Sequence, residues 1–537
     1  MRRAFPALLF AVILAFGVLS IPAGASHNAD QHKGMDLVFT SPNAKVNSDL
    51  AFWGNHAFVG YYRNDLSVGG VRIFDISNPA GPSLIRDFPC DGLQADPIVW
   101  DRNGNGVADL LLLAVDRTMA SPECGAARAR HNEPTGWEGV RVFTMSDDPA
   151  NPFAQITQVK AVYTDCGAHT ITAWPGEIDE TNRLLVYVSS YPLRPGPTCG
   201  AVLDSDGPGP AAPVAVPPYQ NTANPYDEDP GSPASPLHGV IQVVEVPLDN
   251  PAAANELAVQ PAISYPGDPD GINDWTEKGL TGPGLETAAV ACHDIVVHVP
   301  EGMAGAACAE QGQVWEIDEN GIPDTENPML VGDDEVSSGG TGQIPGAIDF
   351  FHSVMFNNDG TVVNWVDESF GSGCPPMTQW QARPWHPAGT HKTGRMFFTD
   401  IDGNFLSEFS VGDLRPDPAA TAYCSAHMGM AVVGIKRDLL VNAWYTGGVD
   451  VIDFSRPRRL KEIAYYDIAG AGPLGSDNWS AYPYTGPTFK GGSGIPVYAS
   501  DGVRTPDNAR GMMVLRAIVE KPGSGGIVDH MNPQTMD

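Results

Sequence analysis

One short pattern of apolar and polar positions recurs along the chain: a glycine, an alternating apolar segment, and often a closing Asp or Ser. Alternation of this kind predicts β-strands. The copies occupy 70–77, 139–146, 239–246, 312–318, 394–400, 448–455 and 511–517. A segment repeated at intervals along a chain indicates a repeat architecture.

Two further strands are predicted before most copies. The nearer one is an apolar run at 57–62, 109–116, 184–190, 361–367, 438–445 and 495–500, and only the fourth copy lacks a clear one. The farther one opens at Asp49, Asp96, His169, His293, His352, His427 and, less clearly, Ser480. Each unit is therefore interpreted as strands A, B and C, followed by a polar turn and a looser strand D.

These units predict an all-β fold, a seven-bladed β-propeller of four-stranded antiparallel blades, in which neighbouring blades cover each sheet. A β-sandwich is the alternative, but it would not explain seven copies of one segment. We expect the propeller to span 35–520, with insertions at 192–236 and 371–393, an N-terminal tail at 26–34 and a C-terminal tail at 521–537. The segment from Met35 to Thr40 is predicted to close the ring on the last blade.

The segment Gly70-Val-Arg-Ile-Phe-Asp-Ile-Ser-Asn-Pro at 70–79 resembles the LVIVD repeat of secreted bacterial β-propellers. The resemblance extends over most of the chain beyond residue 25. It implies the propeller fold and says little about function, because propellers serve both as binding modules and as enzymes.

Composition narrows the function classes. With 64 acidic and 31 basic residues the net charge is −33, which excludes nucleic-acid binding driven by phosphate neutralisation. Residues 1–25 have the layout of a secretory signal peptide, so the mature chain is expected to start at Ser26. No other stretch approaches the roughly 20 apolar residues of a membrane span. We predict a secreted or extracytoplasmic protein, in the periplasm or at the cell surface.

Eight cysteines in an exported chain predict disulfides. Four lie just before a strand A and four at or beyond the end of a strand B, and these positions share one face of a meander. The predicted pairs are Cys90–Cys124, Cys166–Cys199, Cys292–Cys308 and Cys374–Cys424. Thiolate ligation of a metal is the alternative, because Cys166 and Cys424 each stand three residues before a histidine.

Histidine occupies one register of strand A in four consecutive units, at His169, His293, His352 and His427, and Asp49 and Asp96 hold that register in the first two. Strand A is innermost in a propeller, so these side chains are expected to converge on the central channel. They could bind a transition metal such as Cu, Fe, Zn or Mn. The arrangement is similar to that of the carotenoid-cleaving oxygenases in this respect alone. The alternative is hydrogen bonding among the side chains and ordered water.

A second candidate site lies between strands A and B of the second unit. Asp101, Asn103, Asn105, the Val107 carbonyl and Asp109 have the spacing of a short Ca²⁺ loop, similar to the calcium hairpins of integrin-type propellers. The alternative is an ordinary Asn-Gly hairpin turn.

The sequence contains no Gly-x-Ser-x-Gly elbow, Walker loop, dinucleotide fingerprint or His-Glu-x-x-His. We therefore expect, if the protein is an enzyme, a metal-dependent oxidoreductase or hydrolase acting on a small molecule at the histidines. The alternative is a non-catalytic extracellular or cell-surface propeller, stabilised by calcium, that binds another extracellular protein.

Overall fold

The structure is a computed structural model. It describes residues 30–42, 45–64, 67–92, 94–119, 122–125, 137–164, 167–175, 182–190, 240–261, 292–308, 311–325, 327–333, 342–344, 351–368, 394–414, 425–467, 478–490, 493–501, 511–520 and 528–537. The predicted signal peptide and both predicted insertions lie outside these residues.

The described residues are almost entirely β-structure. In chain order the strands are β1 (Gln31–Lys33), β2 (Met35–Thr40), β3 (Asn47–Trp53), β4 (His56–Asn64), β5 (Ser67–Asp75), β6 (Ser83–Pro89), β7 (Pro97–Trp100), β8 (Leu110–Met119), β9 (Trp137–Met145), β10 (Ile156–Tyr163), β11 (Thr170–Trp174), β12 (Arg183–Ser189), β13 (Val240–Pro247), β14 (Asn255–Pro261), β15 (Asp294–His298), β16 (Met303–Cys308), β17 (Gln311–Glu316), β18 (Met329–Asp333), β19 (Gly342–Ile344), β20 (Phe351–Phe356), β21 (Val362–Asp367), β22 (Met396–Asp400), β23 (Phe405–Phe409), β24 (Ala426–Ala431), β25 (Leu439–Trp444), β26 (Gly448–Asp453), β27 (Lys461–Asp467), β28 (Asn478–Tyr482), β29 (Ile495–Asp501), β30 (Met512–Ala517), β31 (His530–Met531) and β32 (Thr535–Met536). The helical segments are short: Pro251–Ala253, Val299–Glu301, Val411–Leu414 and Tyr445–Gly447. None of these described helices is long and apolar enough to cross a membrane.

The strands form antiparallel meanders, each following the predicted A-B-C order. The sheets are β3-β4-β5-β6 with β31 added, β7 to β10, β11 to β14, β15 to β18 with β19 and β32 added, β20 to β23, and a nine-stranded sheet. The nine-stranded sheet joins β24-β25-β26-β27-β1 to β28-β29-β30-β2 through one parallel bridge between Met428 and Ser480. Every copy of the recurring segment overlaps the third strand of a meander, as predicted.

In several copies of the recurring segment, close approach of the neighbouring strand requires the glycine with which the segment opens. At Gly70 and Gly139 the backbone has φ of 141° and 140°, and an added Cβ would lie 2.3 Å from the Phe88 carbonyl oxygen and 2.1 Å from that of Val162. Both carbonyls belong to the neighbouring strand D. A side chain at these positions would therefore push strand D away from strand C.

The first strands of successive meanders contact one another in a closed cycle. β3 contacts β7, and the series continues through β11, β15, β20, β24 and β28, which returns to β3. Radial meanders around a ring of inner strands are the architecture of a β-propeller. Large aromatic side chains such as Trp315, Trp365 and Trp444 are fully buried between the sheets.

The N-terminal segment closes the ring. β2 supplies the outer strand beside β30, with Met35 opposite Ala517 and Thr40 opposite Met513, as predicted. β1, within the predicted N-terminal tail, pairs with β27 in the neighbouring meander.

The last ten residues cross one end of the ring. β31 pairs with the end of β3 and β32 with the end of β15, and the Asn532 side-chain amide bonds both the N–H (2.8 Å) and the C=O (2.9 Å) of Val99. Met531, Asn532, Gln534, Thr535 and Met536 are each at most 3% exposed. This part of the predicted C-terminal tail is therefore packed across the channel at the carboxyl ends of the inner strands. We call residues 528–537 the C-terminal plug.

Two predicted disulfides are confirmed within the described residues, Cys90–Cys124 and Cys292–Cys308. In each, one cysteine precedes an inner strand and the other lies at or beyond the end of a strand B. The cysteines of the other two predicted pairs, Cys166–Cys199 and Cys374–Cys424, lie outside the described residues.

Candidate functional site

The structure brings the four strand-A histidines together at the channel end opposite the C-terminal plug. His169 and His293 each stand one residue before an inner strand, and His352 and His427 are the second residues of theirs. The ring centroids are 4.4 Å apart for His169 and His293, 3.9 Å for His293 and His352, and 4.0 Å for His352 and His427. The four imidazoles thus form one continuous arc, which we call the histidine arc.

Backbone carbonyls fix the orientation of two of these rings. His293 Nδ1 lies 3.0 Å from the carbonyl oxygen of His352, and His427 Nδ1 bonds the carbonyl oxygen of Trp479. Because a carbonyl can only accept, Nδ1 carries the proton and Nε2 keeps its lone pair in both rings. His293 Nε2 faces His169 Nε2 at 2.9 Å. Hydrogen bonds of this kind hold histidine ligands in place around metals.

Glu368, which the sequence analysis missed, completes the arc. Its Oε2 lies 3.8 Å from His352 Nε2, and its Oε1 accepts a hydrogen bond from the Tyr445 hydroxyl. One ligand atom each from His352, Glu368 and His427 lie within 4.8 Å of one another. Glu368 follows strand β21, and the end of a strand B shares a face with the start of a strand A. Glu368 therefore lies beside His352 for the same reason that the paired cysteines lie together.

Burial keeps three of the imidazoles neutral. It lowers the pKa of His427 to about 3 and holds the pKa values of His293 and His352 well below the ordinary 6.5, with the neighbouring imidazoles lowering them further. The neutral ring is the form that binds metals. Another buried histidine, His298 on β15, lies outside the arc and bonds the Asn358 carbonyl oxygen at 3.2 Å.

Asp49 and Asp96, predicted to join the histidines, lie with Asp294 deeper in the channel. Asp49 accepts hydrogen bonds from Leu50 N (2.9 Å), the Tyr482 hydroxyl and Gln534 Nε2 of the C-terminal plug (3.1 Å). Asp96 accepts from Ile171 N at 2.9 Å, two residues further along β11 than the position of His169. All three carboxyls are fully buried, which raises their pKa values. We call Asp49, Asp96 and Asp294 the carboxylate group.

The predicted calcium loop is held by its own hydrogen bonds. Asp101 accepts backbone N–H groups of Asn103, Gly104, Asn105 and Gly106, and Asn105 Oδ1 accepts the N–H of Val107. The Asp109 carboxylate pairs with the Arg102 guanidinium at 2.8 Å. A calcium ion would compete with that cation for Asp109. These contacts also suit the hairpin-turn alternative, and calcium at this loop stays a prediction.

Comparisons with known proteins identify no family. No family model matches the chain, and no curated protein matches it. Among solved structures it is similar to U3-55K, with 8% identity and a TM-score of 0.45 over 90% of this chain and 98% of the other. It is also similar to a Lactobacillus plantarum protein, with 10% identity and a TM-score of 0.42 over 90% and 98%. Sqt1 of Chaetomium thermophilum, solved bound to the N-terminus of the ribosomal protein L10, shares 12% identity with a TM-score of 0.40 over 92% and 90%.

Proposed function

We propose that the histidine arc binds a transition metal and that the protein is a metal-dependent enzyme acting on a small molecule. The observation that carries this proposal is the convergence of His352, His427 and Glu368 within 4.8 Å, with His293 and His169 continuing the arc. Nitrogen ligands with one carboxylate suit Fe, Zn, Cu or Mn. Such a metal would supply Lewis-acid or redox chemistry for a hydrolysis or an oxidation.

The channel geometry supports one route for the substrate. The C-terminal plug covers the carboxyl ends of the inner strands, while the arc lies at their amino ends. A small molecule would therefore approach and leave at the histidine end. Buried His427 Nε2 makes no hydrogen bond to a described residue, so its lone pair is available to a metal.

The proposal also includes the number of blades and the type of propeller that carries the arc. Counting the nine-stranded sheet as two blades gives seven blades, in keeping with the cycle of inner strands. We propose an exported propeller of the LVIVD-repeat type. Its two described disulfides support folding in an oxidising compartment.

The test is metal content, measured by plasma mass spectrometry on protein purified from its own host. The wild type should carry about one equivalent of Fe, Zn, Cu or Mn. The double variant His293→Ala/His352→Ala should lose it. His298→Ala is the matched control, because this histidine is also buried on β15 but bonds Asn358 outside the arc. The control should keep the metal.

Two results would contradict the proposal. One is a wild-type protein with no transition metal, which would leave a non-catalytic binding propeller. The other is equal metal loss in the His298→Ala control, which would mean that metal follows overall folding and not the arc. Circular dichroism of all three proteins separates the second case from misfolding.

A further inference from the structure

Four buried oxygen atoms in the closed part of the channel lack hydrogen-bond partners among the described residues. They are Asp96 Oδ1, both carboxylate oxygens of Asp294, and Oε1 of Gln534. The first two residues are 0% exposed and Gln534 is 2% exposed. The Ile295 N–H and the Thr170 hydroxyl lie near Asp294 and lower its pKa, but the hydroxyl donates its proton to the His293 carbonyl oxygen at 3.0 Å. Buried polar atoms left unpaired in this way call for a bound water or ion.

The three side chains that carry these atoms lie near β11 and the C-terminal plug. Asp96 reaches β11 through Ile171 N at 2.9 Å, and Asp294 lies beside the preceding residue, Thr170. Gln534 enters from the plug, where its Nε2 donates to Asp49 at 3.1 Å. Asp49, Asp96 and Asp294 are thus close enough to act on one another electrostatically, and Gln534 links this group to the plug.

Charge distinguishes a cation from water at this place. Among the described residues, the ionisable groups that act on Asp96 are Asp49 and Asp294, and the one that acts on Asp294 is Asp49, so each of these neighbours is itself an acid. Water can donate hydrogen bonds to the unpaired oxygens, whereas a cation would in addition offset the repulsion that arises when these buried carboxyls ionise together. All four unpaired atoms are oxygens. Oxygen-only ligands favour a hard cation such as Ca²⁺ over the metals that prefer imidazole.

We propose that Asp96, Asp294 and Gln534 Oε1 bind a calcium ion in the closed part of the channel, with water completing its coordination. Asp49 contributes the third negative charge, while its own oxygens already accept from Leu50, Tyr482 and Gln534. This site is separate from the transition-metal site of the histidine arc and does not depend on it. The ion would tie two inner strands to the C-terminal plug.

The experiment measures Ca²⁺ binding to chelator-treated protein by equilibrium dialysis with radioactive calcium. The double variant Asp96→Asn/Asp294→Asn keeps side-chain size and removes two charges, and it should lose one equivalent of bound Ca²⁺. The control is Asp101→Asn, which alters only the surface loop. The control should keep the channel equivalent whether or not the loop binds calcium.

A second variant guards against a folding defect. Gln534→Met removes the amide oxygen but keeps the length of the side chain, and it should weaken Ca²⁺ binding at this site by at least about tenfold. Equal Ca²⁺ stoichiometry and affinity in the wild type, the double variant and Gln534→Met would overturn the proposal and leave water at these oxygens. Metal analysis of the same samples reports the histidine arc independently, so failure of one site is distinguishable from failure of the other.

Discussion

The histidine arc and the carboxylate group lie on the same inner strands, yet burial prepares them for ligands in opposite ways. Burial disfavours charge, so it lowers the pKa values of His293, His352 and His427 and raises those of Asp49, Asp96 and Asp294. A neutral imidazole is ready to bind a metal, whereas a neutral carboxyl must first release a proton. The arc is therefore poised for its ligand, and the carboxylate group needs a cation to stay ionised.

The largest expected effect that tests this contrast is the pH dependence of stability in metal-free protein. The folded pKa of His427, about 3, lies below its ordinary value of 6.5, so the unfolded chain binds more protons as the pH falls below 6.5. Stability contributed by the arc is therefore lost on acidification between about 6.5 and 3, by an amount on the order of several kcal/mol. Urea unfolding of the wild type and His427→Gln across this range measures the loss, which should be smaller in the variant.

The carboxylate group should respond with the opposite sign. Its folded pKa values lie above the ordinary 3.8, so the unfolded chain releases protons that the folded chain retains. Stability contributed by this group is present below 3.8 and is lost as the pH rises through the raised values. Asp96→Asn/Asp294→Asn should flatten this part of the curve. Parallel pH profiles for both variants would refute the contrast.

Removing one contact of the C-terminal plug should destabilise the channel end that holds the carboxylate group, without changing the metal affinity of the histidine arc. Asn532→Ala leaves the buried N–H and C=O of Val99 without the side chain that bonds both, at a cost of about 3 kcal/mol in the free energy of unfolding. Leu84→Ala, at a side chain 44% exposed, is the control and should change it little. Urea unfolding gives the stabilities, and metal titration should give the same transition-metal affinity at the arc. A weakened arc in Asn532→Ala would show that the two regions are coupled.

The smallest expected effect is a change in metal affinity that distinguishes the contribution of Glu368 from that of the histidines around it. Glu368→Gln keeps the size of the side chain but removes its charge, and it should lower the transition-metal affinity about 10- to 100-fold. Tyr445→Phe removes only the hydroxyl that bonds Glu368 and should lower the affinity less. Competition against a chelator of known affinity measures both. An unchanged affinity in Glu368→Gln would restrict the metal site to the imidazoles.

The sequence predicted the strands where apolar alternation was strong and missed elements that lack it. β16 reads Met-Ala-Gly-Ala-Ala-Cys, and its small side chains hid the second strand of the fourth unit although Ala304 and Ala306 are fully buried. The plug was missed because β31 and β32 are two residues each and are flanked by polar residues. Their pairing partners are distant in sequence, so no local pattern marks them.

The sequence predicted the strand position that the site residues share, but it did not predict which of these residues lie together. The shared position in strand A was enough to bring the four histidines together, since inner strands point the same way around the channel. It could not separate Asp49 and Asp96 from them, because that separation depends on Asp294, Tyr482 and Gln534, which come from other parts of the chain.

The pairing of β2 with β30 also has a consequence for how the protein folds. Ser41 and Met512, which exchange two hydrogen bonds at this joint, are 471 residues apart. A contact of such high sequence separation forms late and slowly, because a long loop must close before the pairing contributes any stabilisation. Neither described disulfide spans the joint, so the ring is held there by non-covalent contacts alone within the described residues. We expect refolding to be slow and its last step to be the seating of the N-terminal strand.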